Sequence, residues 1–139
     1  MLDASRRVSG PVFERNDGVW LVDFAPVSVP ELLAQTIANV LGVREGPQRP
    51  ARDALTEALR HRELLLVLDN CEHLIETCAD LVATLLLEAA GLRVVATSRE
   101  ALGVSGETVF RVPGHRFRAR GAQRGWRLDL WLNRSGPYL

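Results

Sequence analysis

The sequence predicts an α/β fold in which helices link the strands of a parallel sheet, and three observations lead there. Leu64 to Leu68 is an uninterrupted apolar run and Leu92 to Ala96 a second, largely apolar one. Each ends in polar residues, Asp69-Asn70 and Thr97-Ser98-Arg99, as strands do when a ligand edge lies beyond their carboxyl ends. Between them runs a long stretch of helical periodicity, which gives the strand, helix, strand order of a βαβ unit.

The elements follow in order. Gly18 to Phe24 is apolar, β-branched and aromatic behind the turn Asn16-Asp17-Gly18, and reads as a strand. Pro30 opens a helix whose Leu33, Ile37, Val40 and Leu41 recur at helical spacing until Gly42 stops it. A second helix is expected from Ala51 to His61, with Ala51, Leu55, Ala58 and Leu59 on one face. Leu64 to Leu68 is then expected to be a strand buried on both faces. Cys71 to Ala90 reads as one long helix with a broad apolar stripe, closed by Gly91 in the C′ position. After the strand Leu92 to Ala96 come a short helical stretch, Glu100 to Leu102, and a last strand, Glu107 to Val112.

Charge divides the chain. Residues 1–112 hold 11 Arg against 16 Asp and Glu, whereas residues 113–139 hold 6 Arg against the single acid Asp129. The expected organisation is an irregular segment 1–16, an α/β core 17–113 and a disordered basic tail 114–139. All 17 basic residues are arginine, so lysine chemistry is excluded: no Schiff base, no Ser-Lys dyad and no phosphate-gripping lysine. No apolar run is long enough to cross a bilayer, and Met1 to Gly10 lacks the apolar centre of a signal peptide; a cytoplasmic protein with no membrane partner is expected. Cys71 and Cys78, read as lying on one helix, would stand about 10 Å apart, too far for a disulfide. They are read as buried thiols rather than as metal ligands with His73.

The strand ends carry the candidate chemistry. Asp69, closing a central apolar strand, has the arrangement of a Walker B acid, which holds Mg²⁺ beneath the β- and γ-phosphates of a nucleotide; the alternative is a strand-to-helix connection with Asn70 as N-cap. Asn70 stands where many ATPases place a second acid, and an amide orients water without acting as a general base. Arg99 is placed to sense a γ-phosphate or, alternatively, to pair with Glu100 at the surface. Thr97 and Ser98 are candidate phosphate donors or turn-satisfying hydroxyls.

Taken together, GVWLVDFAPV, LLLVLDNCEHL and LRVVATSREALGVSGETVFRV, in that order, resemble the nucleotide-binding core of the bacterial STAND ATPases, relatives of the NB-ARC domain found in large LuxR-type transcriptional regulators. The resemblance spans roughly residues 17 to 113. It implies a three-layer P-loop NTPase-like core and an ATP-driven switch, with ATP or ADP and Mg²⁺ as cofactors, Asp69 as the Walker B magnesium residue and Arg99 as the sensor arginine. In that family a strand, a glycine-rich loop ending in Gly-Lys-Thr or Gly-Lys-Ser, and a helix precede the GVW strand. Met1 to Asp17 contains no such motif, a single glycine and no lysine. The core is therefore expected to be incomplete, a remnant that does not hydrolyse ATP by itself and whose tail is read in a shifted frame. Two other functions compete with it. One is a nucleotide-independent interaction module that docks on a full-length relative or another protein. The other is nucleic-acid binding, the less favoured, with His115, Arg116, Arg118, Arg120, Arg124 and Arg127 meeting phosphates and Trp126 or Trp131 stacking on bases.

Overall fold

The computed structural model describes residues 6–8, 17–111 and 127–131. Its elements are β1 (Arg6–Val8), β2 (Val19–Asp23), a 3₁₀ turn (Pro30–Leu32) leading into α1 (Leu33–Leu41), α2 (Ala51–Leu59), β3 (Leu64–Asp69), a second 3₁₀ turn (Cys71–His73), α3 (Ile75–Glu88), β4 (Leu92–Ser98), β5 (Glu107–Arg111) and β6 (Arg127–Trp131). They build one six-stranded sheet in the order β1-β2-β3-β4-β6-β5. The centre, β2-β3-β4, is parallel, while β1 on β2, β6 on β4 and β5 on β6 are antiparallel. Strands β1 and β6 fall in the stretches that the sequence reads as irregular.

The core lies on one face of the sheet. Leu64, Leu66 and Leu68 of β3 and Leu92, Val94 and Ala96 of β4 are all fully buried, as is Val22 of β2. They form one cluster with Leu33 and Ile37 of α1, Leu55 and Leu59 of α2, and Leu81 and Leu85 of α3, so the three helices share that face. The expectation of strands buried on both faces is corrected here. Leu65 and Val67 of β3 and Val95 of β4, which point the other way, are only half-buried. A parallel strand becomes apolar throughout when crossover helices cover both sides, and among the described residues helices cover one.

The helices form for the reasons visible in the sequence. Pro30 sits at the first position of the 3₁₀ turn, where its missing N–H costs nothing. Leu33, Ile37, Val40 and Leu41 are buried. Gly42 closes α1 with φ 69°, its N–H donating to Ala38 O and Asn39 O, a left-handed conformation that glycine reaches without steric cost. Helix α2 is shorter than expected and ends at Leu59. Arg52 on α2 reaches α3, donating to Asp80 Oδ2 at 2.7 Å and Thr84 Oγ1 at 2.6 Å.

Three local expectations change. The segment after β3 is not one helix from Cys71: Asn70 takes φ 62°, ψ 51°, the 3₁₀ turn follows, and Leu74 at φ −133° breaks the run before α3 begins at Ile75. Gly91 does not close α3 as a left-handed C′ residue, since α3 ends at Glu88 and Ala89 is extended. A Cβ there would stand 2.5 Å from Arg62 O, so Gly91 serves a close backbone approach. Finally, Glu100 to Leu102 forms no helix; the Glu107 carboxylate instead holds that loop, accepting from Leu102 N at 2.9 Å and Gly103 N at 2.7 Å.

Candidate functional site at the strand ends

The register aligns the polar ends. Asp23 is the β-partner of Asp69, and because Leu68 pairs with Ala96, Thr97 falls beside Asp69 on the same face, the one that none of the described helices covers. The in-step finish of three parallel strands thus gathers two carboxylates, a hydroxyl and, one residue on, the Asn70 amide.

Hydrogen bonds lock the group. The Thr97 hydroxyl donates to Asp69 Oδ1 and accepts from the Asn70 backbone N–H at 3.1 Å. The Asn70 side-chain amide donates to Asp23 Oδ1 at 2.8 Å and lies 3.4 Å from Asp69 Oδ2. Asp23 Oδ1 also accepts from Ala25 N at 2.9 Å, and Phe24 N donates to Asp69 O at 2.9 Å. The backbone of Asn70 is left-handed, a region that asparagine tolerates better than most residues, and its N–H and its side chain serve different partners. Asn70 occupies the N-cap position of the 3₁₀ turn but makes no side-chain cap bond; its amide is committed to the carboxylates.

The expected site residues therefore separate. Asp69, Asn70 and Thr97 come together. Ser98 points to the opposite, helix-covered face, fully buried, where its Oγ accepts from Glu100 N at 3.3 Å. Arg99 is exposed just beyond β4. Asp23, which the sequence places at a strand end with Asp69 and Arg99 but without an assigned role, joins the group through its register with Asp69. One contact was missed: exposed His73 donates from Nε2 to Val27 O at 2.6 Å, tying the loop after β2 to the turn after β3.

Beneath this edge lie two free, buried thiols, Cys71 and Cys78. Their expected separation of about 10 Å assumed a continuous helix. The chain is not one helix there: Cys71 Sγ donates to Leu68 O at 3.6 Å, and the neighbouring Cys78 thiol together with burial holds the Cys71 thiol well above its ordinary ionisation range. His115, Arg116, Arg118, Arg120, Arg124 and Trp126 lie outside the described residues, as do the side chains of Arg127 and Trp131. Among the described residues no helix is long and apolar enough to cross a membrane.

Over 100 residues, 72% of this chain, the sequence is 43% identical to a protein of Mycobacterium tuberculosis provisionally named an HTH-type transcriptional regulator. A protein of Mycobacterium bovis with the same provisional name matches equally. An uncharacterized protein of Mycobacterium tuberculosis is 38% identical over 96 residues, 69% of this chain and 24% of its own length. The chain spans about 11% of the length of the regulators it matches. No family model matches the sequence, and no solved structure matches the fold.

Proposed function

We propose that this chain is part of the ATP-binding core of a transcriptional regulator and supplies the magnesium side of its nucleotide site. The observation that carries the reading is the group Asp23, Asp69, Asn70 and Thr97 gathered at the carboxyl edge of three parallel strands, where open α/β sheets bind ligands. The similarity to provisionally named HTH-type regulators of mycobacteria supports the regulatory context. Two carboxylates and a hydroxyl are hard oxygen donors of the kind Mg²⁺ takes, usually one or two carboxylates with water completing the shell. Asp69 would hold the ion with Asp23 beside it, Thr97 fixing one Asp69 oxygen and Asn70 keeping the two acids from repelling one another. Bound there, Mg²⁺ would neutralise charge on the β- and γ-phosphates.

The sequence contains no lysine and no glycine-rich phosphate loop, so those contacts have to come from polypeptide beyond these residues or from another chain. The chain alone is expected neither to hydrolyse ATP nor to bind it tightly. Titration of a fluorescent ATP analogue into the purified chain, with and without Mg²⁺ and beside Asp69→Ala, tests this. No saturable binding is expected. Saturable binding that persists without Mg²⁺ and in Asp69→Ala would place a nucleotide site elsewhere and overturn the assignment.

A further inference from the structure

Among the described residues the outer strand β5 has a strand on one side only, and the residues of its other edge suit one occupant in particular. It is five residues long, Glu107-Thr108-Val109-Phe110-Arg111, and pairs on one side with β6 as the last strand of the sheet. Four of the five are exposed, with Val109 at 40% and Phe110 at 52%. Such edges are usually blunted by proline, lysine or a bulge, and β5 has neither proline nor lysine.

Its charges do not protect it against a second β5 either. In an antiparallel pair centred on Val109, Glu107 faces the other copy's Arg111, Val109 faces Val109 and Thr108 faces Phe110. Opposite charges then sit directly across from one another at both ends, with two valines between them, and both arrangements favour pairing. Among the described residues no ion pair engages Glu107 or Arg111. Glu107 accepts two backbone N–H bonds from its own loop, which leaves carboxylate lone pairs for a guanidinium.

We infer that β5 is a self-recognition edge, through which two copies of this chain join their sheets in a two-fold antiparallel pair. A two-fold interface is self-complementary by construction, and the palindromic charge pattern Glu-x-x-x-Arg about Val109 satisfies that condition. The strand is short and the area small, so the association is weak and concentration-dependent. This inference is independent of the nucleotide reading, since β5 lies at the far end of the sheet order from β2.

Sedimentation equilibrium of the full chain at about 10 to 500 µM tests it, beside Arg111→Glu, which places like charges opposite one another, and Val109→Lys, which puts a charge on the two-fold axis. Both positions are solvent-exposed, and circular dichroism checks that both variants keep the fold. A monomer–dimer equilibrium is expected, weakened about tenfold or more by each substitution and weakened by added salt. Chain that stays monomeric throughout the range would overturn the inference. So would a dimer untouched by both substitutions, which would point instead to the half-buried face bearing Leu65, Val67 and Val95.

Discussion

The side-chain amide of Asn70 donates to Asp23 Oδ1 at 2.8 Å, joining the carboxyl ends of β2 and β3 across 47 positions of sequence. Asn70 makes this bond from a left-handed backbone, φ 62°. One residue thus supplies both the conformation that turns the chain out of β3 and the donor that holds two carboxylates side by side.

Asn70 combines two contributions, which substitution can separate. Asn70→Gly keeps the left-handed conformation and loses the amide, costing about 1.5 to 3 kcal/mol, the net worth of a hydrogen bond to a charged group. Asn70→Ala loses the amide and also strains the backbone by about 1 to 2 kcal/mol more. Urea unfolding is expected to rank stability as wild type, then Gly, then Ala. An Ala variant as stable as Gly would show that the left-handed turn is not held in solution.

Gly91→Ala places a Cβ 2.5 Å from the Arg62 carbonyl oxygen, a backbone atom that cannot swing aside. A loss of about 1 to 3 kcal/mol is expected, the range for overpacking that shifts the backbone. Gly42→Ala, which meets no atom within 4 Å but sits at φ 69°, should cost only the conformational strain. Thermal melts of the two variants distinguish a steric glycine from a conformational one.

One-sided burial is tested by neighbours. Leu66 is fully buried under the helices, so Leu66→Ala is expected to cost about 2 to 5 kcal/mol. Leu65, half-buried on the other face, should cost clearly less on the same substitution. Equal losses in denaturant unfolding would mean that the second face is as closely covered as the first.

The thiol pair sets an alkaline limit. The neighbouring Cys78 thiol, followed by burial, raises the Cys71 ionisation well above its ordinary value of 9.0. The folded chain therefore keeps this proton at pH values where the unfolded chain releases it. Its stabilisation is complete below the ordinary value of 9.0 and is lost above it, by roughly 1.4 kcal/mol per pH unit. Unfolding free energy measured from pH 7 to 10 should show this decline, and Cys71→Ala should reduce its slope. A slope identical in both chains would contradict the contact.

Much of this was legible in the sequence because single residue types fix it. The helical face of Leu33, Ile37, Val40 and Leu41 is buried as its spacing implied, and the strand ends at Asp69 and Ser98 fall where polar residues interrupt apolar runs. What escaped depends on long-range geometry. The alternation of Leu64 to Leu68 between a buried and a half-buried face is invisible when every residue is apolar. The break at Leu74 falls inside a stretch whose apolar periodicity is helical throughout, so the pattern carries no sign of it. Asp23 is legible as a strand-end acid, but its place beside Asp69, 46 positions away, rests on register. Ser98, adjacent to Thr97, faces away from the site because strand neighbours alternate.

The central claim, that Asp23, Asp69, Asn70 and Thr97 form the cation half of a nucleotide site, is tested most directly with paramagnetic Mn²⁺ in place of Mg²⁺. Titrated into ¹⁵N-labelled chain and followed by amide NMR, Mn²⁺ is expected to broaden the resonances of these four residues first. Mg²⁺ should reverse the effect by competition, and Asp69→Ala should abolish it. Broadening centred on another part of the molecule, or unchanged in Asp69→Ala, would contradict the account.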